Sequence, residues 1–330
     1  MNIPTYKDVQ IAAKRIEDAA MKTPLLNFSV LDDLIGAKIW LKAETLQVTG
    51  AFKFRGAYNA IKALTKDVRA NGVVAASSGN HAQAIAKAAS MFDIPSYIVM
   101  PQDTPQIKLD RTRAFGASVI LYDRYNEDRI KIATDIAAKK QTPFIHPYEH
   151  FEVIAGQGTC GLEICETLKA QNETLDHVLV CTGGGGLMAG ITLCVNKHFP
   201  NAKIHSCEPL EFDDYARSIQ TGKREDNNPD ARSICDAIVT PSPGINSFAI
   251  CASKLSTGLV ASDSQVLNAV AYAFNELKLV VEPGGAIALA CLLQNKQMFK
   301  GKTIALTLSG GNIDPQILNK ALQVNAQEKA

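Results

Sequence analysis

The sequence has no excess of charge of either sign and no long apolar run. Its 34 lysines and arginines nearly balance its 33 aspartates and glutamates, for a formal net charge of +1, so no overall field attracts nucleic acid or an anionic membrane. No tract reaches the ~18 apolar residues of a membrane span. Residues 1–20 have the pattern of a charged amphipathic helix rather than a signal peptide. We therefore expect no nucleic-acid partner, no membrane partner and a cytoplasmic location.

The sequence also lacks the cysteine and histidine spacings of disulfide frameworks and zinc sites. Its eight cysteines all lie at or after position 160 and include no Cys-x-x-Cys pair, and its six histidines are scattered. Most of the cysteines lie within apolar runs, such as the run around Cys194. We expect them to be small core residues in a reducing compartment.

Short apolar runs alternate with helical patterns along most of the chain, which predicts an α/β fold with parallel sheets and right-handed crossovers. At 330 residues the chain has room for roughly two domains. Because no linker is evident, we expect a small domain of residues 72–147 inserted in a large one of residues 1–71 and 148–330. Predicted strands include Val73–Ala76, Ser118–Tyr122, His177–Cys181 and Thr303–Leu308; predicted helices include residues 6–20, a helix that starts at Thr104-Pro105, residues 155–170 and residues 283–294.

A lysine between two phenylalanines is the first candidate for chemistry. Lys53 lies between Phe52 and Phe54, just after Gly50 and at the start of an apolar helical pattern. Apolar neighbours remove water from an ammonium group and lower its pKa. Only the free amine attacks a carbonyl to form a Schiff base. Lys53 is therefore either a Schiff-base lysine or an ordinary exposed lysine at a helix start.

Two loops that join a predicted strand to a predicted helix are candidate anion sites, because open α/β sheets bind ligands at such loops. Residues 77–81 (Ser-Ser-Gly-Asn-His) offer hydroxyls and backbone N–H groups to a carboxylate, or are simply a capped helix start. Four consecutive glycines at 183–186 leave the main chain bare. Such a loop is typical of a phosphate site at a helix N-terminus.

The glycine loop also supports a different class of enzyme. Gly184-x-Gly186-x-x-Ala189 fits a loose dinucleotide fingerprint, and Glu208 at the end of the next strand could hold a ribose. The match is weak, because no hydride-transfer group accompanies it. A nicotinamide oxidoreductase remains an alternative.

Two further stretches are candidates for polar contacts with a ligand. Ser309, in a Ser-Gly-Gly-Asn loop after a predicted strand, could hydrogen-bond a heteroaromatic nitrogen or cap a helix. Residues 208–214 (Glu-Pro-Leu-Glu-Phe-Asp-Asp) group carboxylates with the oxygen-ligand spacing of a hard cation such as Mg²⁺ or Ca²⁺. A solvated acidic loop is the alternative for this second stretch.

Together these motifs resemble the fold-type II pyridoxal-phosphate enzymes, specifically the serine/threonine dehydratase and serine racemase family, over nearly the whole chain. The motifs that carry the resemblance are residues 50–57 (GAFKFRGA), 77–83 (SSGNHAQ), 155–159 (AGQGT), 183–186 (GGGG), 282–286 (EPGGA) and 309–312 (SGGN). The resemblance implies a tryptophan synthase β-like fold of two open, twisted, mostly parallel sheets flanked by helices. It also implies bound pyridoxal 5'-phosphate, a small amino-acid substrate and a homodimer.

The resemblance further implies a role for each motif. Lys53 would bond to the cofactor as a Schiff base and act as catalytic base, with Phe52 beside the ring. Asn80 would hold the ring hydroxyl, Ser309 the pyridine nitrogen, and Gly183, Gly184, Gly185 and Gly186 the phosphate. Ser77, Ser78, Gly79, Asn80 and His81 would bind the substrate carboxylate. Glu208, Asp214 and the carbonyl of Phe212 would bind Mg²⁺, or alternatively Ca²⁺ or Mn²⁺.

The implied activity is that of a threonine/serine dehydratase, the α,β-elimination of a β-hydroxy amino acid to a 2-oxo acid and ammonia. Serine racemase or 3-hydroxyaspartate dehydratase is the alternative, because a hydroxyl at Ser78, opposite Lys53, could return a proton to the other face of the α-carbon. Ala237 stands where the family pattern has glycine, which leaves the fit of the substrate open. A non-catalytic amino-acid sensor is a further alternative from another class.

Overall fold

The computed structural model describes residues 2–104 and 106–328, and these residues form two separate β-sheets. Their strands are β1 (Leu25–Asn27), β2 (Lys38–Ala43), β3 (Val73–Ala76), β4 (Ser96–Pro101), β5 (Ser118–Tyr122), β6 (His177–Cys181), β7 (Lys203–Pro209), β8 (Leu259–Ala261) and β9 (Thr303–Leu308). The larger sheet has the order β1–β2–β9–β6–β7–β8 and the smaller the order β3–β4–β5. Within these described residues β1 is antiparallel to β2, and the other neighbouring strands are parallel.

Helices connect the strands and cover the sheets. They are α1 (Tyr6–Ile16), α2 (Ser29–Ile35), α3 (Lys53–Ala63), α4 (Lys66–Ala70), α5 (Asn80–Met91), α6 (Gln106–Ala114), α7 (Arg129–Lys140), α8 (Phe151–Ala170), α9 (Gly186–His198), α10 (Asp214–Thr221), α11 (Ile245–Cys251), α12 (Asp263–Asn275), α13 (Pro283–Gln294), α14 (Lys296–Phe299) and α15 (Pro315–Glu328). Central strand β6 is buried at every position, as expected of a parallel strand covered on both faces.

The α/β fold class predicted from the alternation is confirmed. Strands β3, β5, β6 and β9 and helix α13 have the predicted bounds. Helix α1 ends at Ile16 rather than residue 20, because the N–H groups of Ala19 and Ala20 both bond to the carbonyl of Ile16 and close a turn. The predicted helix start at Pro105 lies outside the described residues, and α6 is described from Gln106.

The smaller sheet lies within residues 73–122, inside the segment predicted as the inserted domain. The strands on either side of that segment, β2 and β6, both pair with β9 in the larger sheet. The division of the chain at residues 72 and 147 remains a prediction.

All eight cysteines are buried and unpaired, as expected of small core residues. None of the helices that the structure describes is long and apolar enough to cross a membrane.

A close crossing of α3 and α8 fixes the helix that begins with Lys53. A Cβ on Gly156 would lie 2.6 Å from the Cα of Gly56, so the two backbones are in direct contact. At the first turn of α3, the buried Arg55 forms ion pairs with Glu44 and Glu163 at 2.8 and 2.7 Å. Helix packing and a buried ion network therefore hold the first turn of α3 rigidly.

Candidate active site

A cavity brings together three of the segments identified in the sequence. Its wall includes Phe52 and Lys53, residues 77–81 and residues 183–186. The last two are loops that follow the carboxyl ends of β3 and β6, where open parallel sheets bind ligands. Segments more than a hundred positions apart thus face one space.

Lys53, the first residue of α3, is partly buried at this cavity. Its Nζ donates a hydrogen bond to the carbonyl of Pro147 at 3.1 Å and lies 5.0 Å from the centre of the Phe52 ring. No carboxylate in the described part of the chain pairs with it. Burial lowers the pKa of Lys53 to about 8, so roughly a tenth of the amine is neutral at pH 7, and nucleophilic attack on an aldehyde requires the neutral form.

Asn80 begins α5 and is tied to two other motifs. Its Nδ2 donates to Oε1 of Glu282 at 2.5 Å, and its Oδ1 accepts from Nδ2 of Asn312 at 2.8 Å. Burial, and then the charge of Asp236, raises the pKa of Glu282 to about 7. The second Nδ2 hydrogen of Asn80 remains for a ligand.

His81 is buried in the same turn and is neutral. Its Nε2 lies 3.0 Å from the carbonyl of Ile145, which can only accept, so Nε2 carries the proton. Its Nδ1 is buried without a partner. Burial, and then nearby Lys53, lowers the pKa of His81 to about 3. A carboxylate at this loop would therefore be bound by the hydroxyls of Ser77 and Ser78 and by the first N–H groups of α5, not by a charged imidazole.

The glycine loop lies at the N-terminus of α9, and its neighbours leave no room for side chains. Gly185 has a φ of +90°, and a Cβ there would collide with the hydroxyl of Tyr215. A Cβ on Gly183 would lie 2.8 Å from the carbonyl oxygen of Ile238, and one on Gly184 would enter the ring of Tyr148. The bare backbone is therefore required by packing, and it leaves the N–H groups at the start of α9 open to an anion.

Ser309 lies just behind the cavity wall. Its carbonyl accepts from the N–H of Phe52 at 3.0 Å, and its own N–H donates to the carbonyl of Gly285 at 3.3 Å. Ser309 is buried, at 4% exposure. It is held next to the residue that precedes Lys53, on the side of α13.

Glu208 and Asp214 are buried behind the glycine loop. The Glu208 carboxylate accepts from the N–H groups of Tyr215 and Ala216 at 2.7 and 2.9 Å. Asp214 Oδ1 accepts from Asn227 at 2.6 Å, while Oδ2 is buried without a partner. Burial raises the pKa of Asp214 to about 7 and, with the charge of Asp214, raises that of Glu208.

Phe212 lies in the short loop between these two carboxylates, after β7 and before α10. No group of three or more His, Cys, Asp or Glu side chains among the described residues could hold a metal ion. A cation here would thus have two carboxylates and main-chain oxygen as its ligands.

Three polar residues of the cavity wall were missed in the sequence: Arg129, Tyr148 and Thr240. Asp236 was not missed, because the family pattern already placed Asp236 and Ala237 beside the cofactor. Tyr148 packs its ring on Gly184, and Asp236 forms an ion pair with Lys108 of α6. Tyr148 and Thr240 lie outside the strand-to-helix loops, whereas Arg129 begins α7 after the loop that follows β5. Arg129 alone carried a signal, because an arginine in the first turn of a helix opposes the helix dipole.

Comparison with known proteins is consistent with this site. The model of the family "Pyridoxal-phosphate dependent enzyme" matches residues 16–310. The chain is 40% identical over 314 residues to L-threo-3-hydroxyaspartate ammonia-lyase of Saccharomyces cerevisiae, covering 95% of each chain. It is 38% identical to serine racemase of Schizosaccharomyces pombe, covering 94% of this chain and 95% of that protein. The solved structure of threonine deaminase from T.th. superposes with a TM-score of 0.89 at 37% identity, covering 94% and 99% of the two chains.

Proposed function

This chain belongs to the family of pyridoxal-phosphate dependent enzymes, and we propose that it eliminates ammonia from a small β-hydroxy amino acid to give a 2-oxo acid. The observation that carries the proposal is the cavity in which Lys53, residues 77–81 and residues 183–186 meet. Two of the relatives named above are an ammonia-lyase and a deaminase of β-hydroxy amino acids by name. L-Serine, L-threonine and 3-hydroxyaspartate are the substrates to compare.

The residues present fit pyridoxal phosphate. A lysine of lowered pKa stands beside an aromatic ring, and bare glycine backbone at the start of α9 stands opposite it. Lys53 would bind the aldehyde, Phe52 would lie beside the ring, and residues 183–186 would bind the phosphate. Asn80 would bind the ring hydroxyl and Ser309 the ring nitrogen. When bound, the cofactor supplies an electron sink that stabilises negative charge at the substrate α-carbon.

Residues of the chain itself transfer the proton and bind the substrate. The neutral amine of Lys53 is the general base we assign to the α-proton, since its pKa of about 8 suits transfer near neutral pH. The hydroxyls of Ser77 and Ser78 and the N–H groups of α5 orient the α-carboxylate. Ser309 would offer a neutral hydroxyl to the ring nitrogen, which would favour elimination over transamination because a hydroxyl cannot keep that nitrogen charged.

Serine racemisation is a second candidate activity. Ser78 lines the cavity with Lys53, and a hydroxyl on the opposite face could return the proton with inversion. The similarity to the serine racemase of Schizosaccharomyces pombe supports this addition. Elimination and racemisation would then share one site and differ in the face that is reprotonated.

The buried carboxylate pair fits a divalent cation. Two buried acids with raised pKa values and an unpartnered Asp214 Oδ2 are costly without a counter-charge. Glu208, Asp214 and the Phe212 carbonyl would be the ligands of Mg²⁺, or of Ca²⁺ or Mn²⁺. The cation would steady the start of α10, from which Tyr215 reaches the glycine loop.

Three expectations about the chain as a whole remain part of the proposal: the homodimer, the cytoplasmic location, and the insertion of residues 72–147 in the large domain. The separate three-stranded sheet supports the last of these. Sedimentation equilibrium of the purified protein tests the dimer.

One experiment tests the proposed function. The purified protein, loaded with pyridoxal phosphate, is incubated with L-serine, L-threonine and 3-hydroxyaspartate, and 2-oxo acid, ammonia and both enantiomers are measured together. We expect 2-oxo acid and ammonia in equal amounts from at least one substrate. Binding without turnover of any of them would favour the amino-acid sensor instead.

A further inference from the structure

Ala237 is an apolar residue on the wall of the cavity that contains Lys53 and the glycine loop. It is exposed, although Cys235 and Ile238, which lie on either side of it in the chain, are buried. Exposed apolar surface in a concave site is surface that a ligand covers when it binds. The methyl group of Ala237 is therefore available for contact with a molecule in the cavity.

The backbone at position 237 does not require glycine, the residue of the family pattern. In the described part of the chain, the residues other than glycine that have a positive φ are Thr49, Asp93, Gln141, Asn172 and Lys278. Ala237 is not one of them, so alanine fits there without backbone strain. Whether residue 237 carries a methyl group is thus a question of space and not of conformation.

Gly284, the second residue of α13, provides that space. A Cβ on Gly284 would lie 3.2 Å from the Cβ of Ala237 and 3.4 Å from Cγ1 of Ile238. Two carbon atoms in ordinary contact are about 3.5–4.0 Å apart, so side chains at positions 237 and 284 would compete for one place. The two positions are complementary, because the methyl group of one fills the space that the other leaves open.

Ala237 lies between the two parts of the cavity that are assigned to opposite ends of the cofactor. On one side, a Cβ on Gly183 would lie 2.8 Å from the carbonyl oxygen of Ile238, so this wall packs on the loop proposed for the phosphate. On the other side, Gly285 of α13 accepts from the N–H of Ser309 at 3.3 Å, and Ser309 is proposed for the ring nitrogen. A ring that reaches from the glycine loop to Ser309 would pass beside the methyl group of Ala237.

The wall that contains Ala237 is also held from behind. Buried Asn227 donates from Nδ2 to the carbonyl of Thr240 at 2.8 Å and from its backbone N–H to the carbonyl of Pro241 at 2.7 Å. The residue before Ala237, Asp236, forms an ion pair with a lysine of α6. The segment cannot move away from the cavity without breaking these bonds, so the methyl group keeps its place.

We propose that Ala237 and Gly284 are a complementary pair that sets the width of the cavity beside the cofactor, and that the methyl group of Ala237 packs on the bound pyridine ring and holds it in position. This inference rests on the proposed function and adds a positioning residue to it. It also gives a physical role to a position at which this chain departs from the family pattern.

Cofactor affinity tests the pair directly. Cofactor-free protein is titrated with pyridoxal phosphate, and the change in absorption gives the Kd. In Ala237→Gly the Kd should rise about fourfold, the factor expected when the burial of one methyl group is lost. Ala237→Ser keeps the β-carbon, so its Kd should stay within about twofold of the wild type. In Gly284→Ala, where the new methyl group would crowd Ala237, the Kd should rise at least about fivefold.

The double variant Ala237→Gly with Gly284→Ala is the sharper test. It transfers the methyl group from one position to the other and removes the crowding. Its Kd should be lower than that of Gly284→Ala alone and within about threefold of the wild type, whereas two independent effects would multiply to about twentyfold or more.

Ala231→Gly is the matched control. Ala231 is buried in the same irregular segment before α11 but does not belong to the described cavity wall. Loss of its methyl group should lower Tm, because a buried contact is lost and the unfolded chain gains freedom. It should leave the Kd for pyridoxal phosphate unchanged.

A second measurement reports the position of the ring rather than its affinity. Each protein is saturated with cofactor, and circular dichroism is recorded at the cofactor absorption band, since that signal arises from the fixed, asymmetric surroundings of the ring. The signal per bound cofactor should be weaker in Ala237→Gly than in Ala231→Gly.

The outcomes separate this inference from the proposed function. If the wild type binds pyridoxal phosphate and eliminates ammonia from a hydroxy amino acid, but Ala237→Gly has the Kd and the dichroism of Ala231→Gly, the role of Ala237 is wrong and the proposed function stands. A double variant whose Kd is the product of the two single effects also overturns the pairing. If the wild type does not bind pyridoxal phosphate, both claims fail. Should Gly284→Ala not fold, the comparison of Ala237→Gly with Ala231→Gly decides alone.

Discussion

The side-chain amide of Asn80 donates a 2.5 Å hydrogen bond to Oε1 of Glu282, across 202 positions of sequence. Asn312 in turn donates to Asn80 at 2.8 Å and to the carbonyl of Thr49 at 2.7 Å. Four distant segments are thereby joined by one chain of hydrogen bonds, and Asn80 of that chain lines the cavity. Glu282, at 4% exposure, is the acidic end of that chain.

Glu282 should make the stability of the cofactor-free protein depend on pH. Burial raises its pKa from 4.5 to about 7, so between these values the folded state binds more protons than the unfolded state. The free energy of unfolding then falls as pH rises through that window, by an amount on the order of 3 kcal/mol. Urea denaturation at several pH values should show a flatter profile for Glu282→Gln than for the wild type.

Glu166→Gln is the control for the loss of a negative charge, because Glu166 is exposed. Its profile should follow that of the wild type. Identical profiles for Glu282→Gln and the wild type would show that Glu282 does not titrate in this range.

Ser78→Ala should separate the two activities of the site. Loss of a general acid at one face of the α-carbon should reduce racemisation of L-serine about a hundredfold. Elimination should fall much less, because Lys53 is its base and Ser78 contributes only to binding the carboxylate. Ser77→Ala is the matched control, because that hydroxyl lies in the same loop, where it accepts from the N–H of Gly79 at 3.3 Å. It should weaken both reactions together. If racemisation and elimination fall equally in Ser78→Ala, Ser78 does not return the proton to the face of the α-carbon opposite Lys53.

Chelation should loosen the glycine loop through Tyr215. The Tyr215 hydroxyl donates to Ser247 at 2.9 Å, and Ser247 donates to the carbonyl of Gly184 at 2.7 Å. If Glu208 and Asp214 hold a cation at about 100 times its Kd, EDTA should lower Tm by roughly 5 °C and weaken cofactor binding. In Asp214→Asn the EDTA effect on Tm should vanish. If EDTA leaves the Tm of the wild type unchanged, Glu208 and Asp214 do not hold a cation.

Gly185→Ala should weaken cofactor binding, whereas the same change at a glycine of similar φ with open space around it should not. Its φ is +90°, and the new methyl would meet the Tyr215 hydroxyl. We expect the Kd for pyridoxal phosphate, measured by absorption, to rise at least about tenfold. Gly116→Ala has a φ of +86° but nothing within 4 Å, so it should cost about 1–2 kcal/mol of stability and leave the Kd unchanged. Equal Kd values in the two variants would show that the loop does not bind the phosphate.

The parts of the site that could be predicted from the sequence are those that one contiguous stretch defines. Three stretches of this kind are Lys53 between its phenylalanines, the turn at residues 77–81 and the four glycines at 183–186. Each lies at a predicted strand end or helix start and contains residues whose chemistry indicates a ligand. The β/α alternation places each loop at the carboxyl end of a strand, but these strands belong to different sheets, so only the structure shows that the loops face one cavity.

The parts that could not be predicted depend on contacts between distant segments. Glu282 begins the EPGGA motif at residues 282–286, but its hydrogen bond with Asn80 could not be predicted because it joins distant segments. Tyr148 lies outside any strand-to-helix loop and reaches the cavity because its ring packs on Gly184. In the sequence, Arg129 after Asp128 resembles a solvated helix start, and only the structure shows that it faces the cavity without a partner.

The central claim is that Lys53 carries the cofactor, and its most direct test is chemical. The yellow, cofactor-loaded protein is reduced with borohydride, digested, and the modified lysine is identified by mass spectrometry. The account predicts one phosphopyridoxyl group per chain, on the peptide that contains Lys53. A label on any other lysine, or an unlabelled Lys53 in protein that retains activity before reduction, would contradict it.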